Sequence, residues 1–367
     1  MDAMRSLGIL AGLVLALAVP SSAVAQEQPR APFASAPLAG RIGPAAPLPR
    51  LRASQIGLVI NTSDPYSVQV GEYYARKRGL APSQVLRVEV PVRAGLTVAE
   101  FDGLRRSISE RFGPRIQALA LAWVVPHAVE CNSITGALAL GFDGELCQHG
   151  CSRSKASPYF NSGSARPLTD FGIRPSMLLA APDIAQAIAL IDRGVAADGS
   201  LLLRGRPTVS AMFLTTDDAA RGVRSALYPR PGRLDAVNVE VRVAPAETLK
   251  DTPHVLLAIT GSARLDLAPA IDWVPGALAD HLTSIGGALE GRHDQSTALE
   301  WIASGATASY GSVSEPCNHR QKFPHPQLLL LNYLYGSTAI EAYWKSVAWP
   351  QQGLFIGEPL AAPFARR

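Results

Sequence analysis

The chain has 367 residues, 47% hydrophobic and 17% charged, with 34 basic against 30 acidic side chains and a formal net charge of +4. This composition excludes a disordered chain, and a mild basic excess without any basic run leaves no electrostatic footprint for nucleic acid. The length allows one large domain or two smaller ones.

Residues 1–25 carry Arg5, the apolar run 7–19, and Ala23-Val24-Ala25 before Gln26. Positive charge, short apolar core and small-residue cleavage pattern in that order describe a secretory signal peptide. An uncleaved anchor is the alternative, but a membrane span needs roughly 20 apolar residues. Later in the chain, "LLLLNYLYG" is brief and interrupted by Asn332. The expectation is an exported protein, periplasmic or extracellular, with no stable membrane span after cleavage. Residues 26–53, rich in Pro and Ala, read as a leader, and 54–367 as a single α/β domain.

That domain opens with an apolar β-branched run at 56–60. Asp64 is placed to cap a helix, with Pro65 in its first turn and Gly79 at its end. "VLRVEV" at 85–90 alternates as a strand. Thr97 to Glu100 has the capping-box pattern, with Phe101, Leu104, Ile108 and Phe112 as the buried stripe that follows. A long apolar strand at 116–125 completes a strand, helix, strand, helix, strand order, the signature of a parallel sheet flanked by helices. Residues 141–175 are loop-like, and the stretch of approximately 141–207 reads as an inserted middle section that contains a helix at 182–194. Strands are expected at 208–216, 254–260 and 306–313. Helices are expected at 296–305, 326–335 and 338–347, with Gly336 between the last two.

Three of the four cysteines lie in "ECNSITGALALGFDGELCQHGC". In an oxidising compartment an even set of Cys131, Cys147, Cys151 and Cys317 points first to disulfides. The short spacing suggests a local Cys147–Cys151 loop, which leaves Cys131 for Cys317. Two alternatives stay open. A metal would use Cys147, His149 and Cys151, although C-x-H-x-C is not a usual zinc spacing. A nucleophilic thiolate would be Cys131 beside His127, or Cys317 beside His319.

Ligands of open parallel sheets bind beyond the carboxyl ends of the strands, which here are 61–64, 126–130, 260–262 and 311–315. "NTSDP" after the first strand is not a glycine-rich phosphate loop, so no nucleotide cofactor is expected, and no other cofactor or metal is signalled. His127, Ser312, Glu315 and Cys317 are the candidate catalytic residues; duller readings are a structural histidine for His127 and a turn residue for Glu315. Asp64 reads first as a helix cap. Asp272 beside Trp273, and His293 beside Asp294, stay open. G-x-S-x-G and H-E-x-x-H are absent.

"LVINTSDPYSVQVGEYYARKRGL", "WVPGALADHLTSIGGAL", "ALEWIASGATASYGSVSEP" and "AIEAYWKSVAWPQQGLFIGEPLAAPF" together resemble an uncharacterised bacterial family found in genomes that encode exosortase, a membrane protein-sorting enzyme. The resemblance runs from about Ile56 to Phe364 and implies an exported protein. The same chain is more distantly similar to gingipain-type cysteine peptidases. That likeness implies a caspase-like fold, a parallel-rich sheet sandwiched by helices. In those peptidases a His-Gly pair follows one strand and the nucleophilic cysteine the next. The matching strands here, 254–260 and 306–313, lead to Gly261-Ser262 and Gly311-Ser312, with neither histidine nor cysteine. Two functional classes follow: a non-catalytic exported scaffold that binds a peptide, protein or glycan, and a hydrolase with a rearranged site.

Overall fold

A computed structural model describes residues 49–203, 205–267, 270–291 and 294–366. The expected signal peptide, most of the leader, and His293 lie outside the described residues.

β1 (Ile56–Asn61), α1 (Pro65–Arg78) and β2 (Val85–Val88) open the fold. Asp64 Oδ1 accepts from the Tyr66 N–H at 2.9 Å, Pro65 occupies the first helical position, and Gly79 ends α1 at φ 63°. β3 (Gly95–Leu96) and α2 (Val98–Arg111) follow, the latter begun by the Thr97/Glu100 capping box. Then come β4 (Ala118–Leu121), β5 (Ala128–Val129), β6 (Asn132–Ser133), α3 (Ile134–Leu140), α4 (Glu145–Gln148), α5 (Pro167–Phe171), β7 (Ser176–Leu178) and α6 (Ile184–Ala197). The second half runs β8 (Val209–Thr215), β9 (Gly232–Leu234), β10 (Val239–Pro245), β11 (Val255–Thr260), β12 (Trp273–His281), α7 (Ala298–Ser304), β13 (Ala308–Ser312), α8 (Pro326–Leu334), α9 (Ala339–Trp344) and β14 (Gly353–Gly357).

Eleven strands form one sheet in the order β2-β1-β4-β7-β14-β13-β12-β11-β8-β10-β9, and β3-β5-β6 form a small second sheet. From β2 to β14 every neighbouring pair is parallel, and so is every pair from β13 to β10. The two blocks meet where β13 runs antiparallel to β14, with Ser312 opposite Gly353. The carboxyl ends of the second block therefore lie at the end of the sheet where the strands of the first block begin.

β1, β4, β11, β13 and β14 are buried at every residue, as a parallel sheet covered on both faces requires. Trp344 of α9 stacks on Phe355 of β14, ring centroids 4.4 Å apart, and its indole N–H donates to Ser176 O at 3.0 Å. One helix thereby holds two adjacent strands, β14 and β7. This is the α/β architecture that the strand and helix order implied.

The expected inserted section differs from the structure in one respect. Its residues supply β7, which pairs with β4 on one side and β14 on the other, and α6, which packs on α1 and β12. A three-residue strand is too short to register as periodicity. The sequence pattern likewise does not mark β12 as a strand, although it lies between β11 and β13.

Candidate functional site

Thr260, His281 and Ser312 end three adjacent parallel strands, β11, β12 and β13. That edge is where an α/β sheet offers a ligand its loops. His281 is the residue the sequence reading missed. Its strand, not β11, neighbours β13, so the histidine ends the strand before Ser312.

The geometry commits both groups elsewhere. His281 is fully buried; the Trp301 indole N–H donates to its Nδ1 at 3.0 Å, which places the ring proton on Nε2, 2.9 Å from Ser296 O. Desolvation holds its pKa below the ordinary imidazole value. The imidazole is neutral and has no lone pair left for a substrate proton. Ser312 is 1% exposed, and its hydroxyl donates to the carbonyls of Thr283 and Ser284 at 2.9 and 3.0 Å. The turn carrying those carbonyls fills the space between the two strand ends. A Cβ on Gly311 would lie 2.2 Å from Gly286 C, and one on Gly287 would lie 2.4 Å from Gly311 O. Two backbones at that separation require glycine on both sides.

Beyond Ser312 the chain enters a corner held by two disulfides. The cysteine pairing corrects the expectation: Cys131 joins Cys147 and Cys151 joins Cys317, with Cα separations of 5.1 and 5.3 Å. The reason is local. Asn132 clamps Asp143, donating from Nδ2 to its carbonyl at 2.9 Å and accepting its N–H at 3.0 Å, which sets Cys131 beside α4 and Cys147. Gly150 lies so close to the Glu315 carbonyl that a Cβ would sit 2.8 Å from it, which brings Cys151 to Cys317. The thiolate and metal readings of these four sulfurs fall with the pairing, since all four are oxidised.

Glu315 turns its carboxylate back onto the Cys317 N–H at 2.7 Å, the turn role, and Ser314 Oγ donates to Cys131 O at 2.6 Å. Beneath them Lys322, 1% exposed, donates from Nζ to Gly150 O at 2.7 Å and to Gln352 Oε1 at 2.8 Å. Burial pulls its pKa down to about 8, and nearby Glu315 opposes that shift. Nothing in the sequence pattern marks this lysine.

His127 is buried between β4 and β5, its main-chain N–H on Ala94 O at 2.9 Å and its carbonyl accepting from Ile134 N at 3.0 Å. Ser312 does not reach it with its hydroxyl proton, which is spent on Thr283 and Ser284. Asp64 serves as the α1 cap, and Asp272 accepts the His254 N–H at 2.9 Å at the start of β11.

A cleft of about 170 Å³ opens beside the carboxyl ends of β8 and β11, lined among others by Leu214, Thr260, Ser262 and Trp301 and by the charged Lys250 and Arg264. Thr260 and Ser262 face each other there, hydroxyl to hydroxyl, at 3.1 Å. Trp301 closes it on one side while its N–H is held by His281. The volume suits one large side chain.

No family model matches the chain, and no curated protein matches its sequence. A solved structure described as "Structure of Protease" is similar at 10% identity and a TM-score of 0.44, over 85% of this chain and 78% of that chain.

Among the described residues no helix is long and apolar enough to cross a membrane. The arrangement as a whole offers a small cleft, a disulfide-braced rim, and a His281 and Ser312 whose hydrogen bonds are internal.

Proposed function

We propose that this chain is an exported, non-catalytic binding protein on a peptidase-like scaffold, which recognises a peptide or protein segment at the cleft beside β8 and β11. The observation that carries this reading is the commitment of His281 and Ser312. Acyl transfer needs a nucleophile with a base to take its proton. The Ser312 proton lies between two carbonyls, both His281 nitrogens are bonded, and Cys317 is in a disulfide. Two disulfides support passage through an oxidising compartment. The exosortase setting rests on the resemblance of the quoted sequence blocks.

The test pairs reactivity with binding. The purified chain is treated with a fluorophosphonate and with an electrophilic peptide epoxide, and is offered a fluorogenic peptide library. Peptides with a single large apolar side chain are then screened by thermal shift against the wild type and a Ser262→Trp variant that fills the cleft. Expected are no labelling, no hydrolysis, and stabilisation by apolar peptides that the variant loses. Labelling or turnover abolished by Ser312→Ala would overturn the reading in favour of a hydrolase.

A further inference from the structure

β2 is the last strand of the eleven-stranded sheet, and among the described residues no strand pairs with its outer side. The Val88 carbonyl accepts from the Thr62 N–H at 2.8 Å, and the Val90 N–H and C=O are both bonded by the Asn61 side chain, at 3.1 and 2.9 Å. Even-numbered residues thus turn their main chain inward. The alternation of a strand then turns the N–H and C=O of Val85, Arg87 and Glu89 outward. The Val85 carbonyl is covered by Arg111 Nε at 3.3 Å. Those of Arg87 and Glu89 have no main-chain partner among the described residues. A groove of about 980 Å³ runs between β2 and α2, from Val88 and Glu89 to Leu104 and Ser107, and a smaller one of about 510 Å³ lies beside Leu86 and Arg87. Val92, just past the strand, is 50% exposed.

We propose that this edge pairs with the same edge of a second copy of the chain, antiparallel about a two-fold axis at Val88. In that register Arg87 of each copy faces Glu89 of the other. Each pair exchanges both main-chain hydrogen bonds, because these are the two residues with outward groups. Opposite charges across a ladder stabilise it and like charges oppose it. The two nearest registers that keep outward groups together set Arg87 against Arg87, or Glu89 against Glu89. The charge pattern therefore selects one register and makes the edge complementary to itself, which a foreign peptide would have no reason to match. The Arg87–Glu72 ion pair at 3.0 Å is about half exposed on both sides and yields at little cost. The result is one sheet continuous through two molecules, a closed assembly rather than a growing edge.

Sedimentation equilibrium on the full chain with its disulfides intact tests this. A reversible dimer is expected. Arg87→Glu, which sets like charges opposite each other in both symmetry-related pairs, raises its dissociation constant about tenfold or more. The double swap Arg87→Glu with Glu89→Arg restores it. Arg87→Pro removes an outward N–H that an edge strand can spare, and abolishes the dimer while circular dichroism stays native. A chain that is monomeric throughout, a dimer indifferent to these variants, or a double swap no better than Arg87→Glu would each overturn the proposal. So would a monomer whose β2 edge captures an unrelated extended peptide.

Discussion

His325 caps α8, its Nδ1 accepting from the Leu328 N–H at 3.5 Å. Burial first, and then the charges of Arg224 and Arg320, hold its pKa at about 4 against 6.5 for a free imidazole. Between those two values the unfolded chain binds a proton that the folded chain refuses. Stability is therefore untouched above pH 6.5 and falls as the pH drops from 6.5 to 4, by up to about 3 kcal/mol from this residue. Asn keeps a capping acceptor and removes the titration. Urea unfolding at pH 7 and pH 4.5 should show His325→Asn losing less stability on acidification than the wild type; equal losses would mean that His325 is not held neutral. His281 titrates in the same direction in both proteins and cancels from the difference.

At the scale of elements, the two disulfides brace the same corner over very different lengths of chain. Cys131–Cys147 closes 16 residues and Cys151–Cys317 closes 166. In the chain-entropy description the cross-link that closes the longer loop removes more freedom from the unfolded chain, about 5 kcal/mol against about 3 kcal/mol. Replacing Cys151 and Cys317 together by Ala should thus destabilise more than replacing Cys131 and Cys147. Urea unfolding of the two double variants checks the order, and a reversed order would place the stabilisation in local contacts of α4 instead. Elsewhere in the fold, α1 and α2 are legible in the sequence, because Asp64 and Thr97 each announce a helix start in one or two residues and each forms its cap. The strands are less so. β7 and β14 have three and five residues, and each is identified by its neighbours in the sheet rather than by its own pattern.

The whole molecule depends on the seam where the two parallel blocks meet. There Gly353 faces Tyr310, whose hydroxyl donates to Lys322 O at 2.5 Å; a Cβ on Gly353 would lie 1.9 Å from the Tyr310 hydroxyl oxygen. Gly353→Ala should cost more than about 3 kcal/mol, at or above the upper end for overpacking, because the tyrosine cannot move without releasing the lysine carbonyl. Gly113→Ala, which meets nothing within 4 Å, should stay within about 0.5 kcal/mol. Equal stabilities for the two variants in urea would show that the seam tolerates repacking.

Secondary elements with strong local signals, the α/β class, the even cysteine count and the lack of a cysteine at the end of β13 are all legible in the linear sequence. Those properties depend on residues a few positions apart, so a linear pattern records them. Which cysteines meet, the place of β12 between β11 and β13, and the inward bonding of Ser312 and His281 emerge from the folded chain alone. So do the place of Lys322 beneath the disulfide rim and the outer edge of β2. Each of these depends on contacts between residues far apart in the chain, such as Asn132 with Asp143 beside α4, or Gly150 against Glu315. No local pattern carries that information, because it arises only when the sheet order is set.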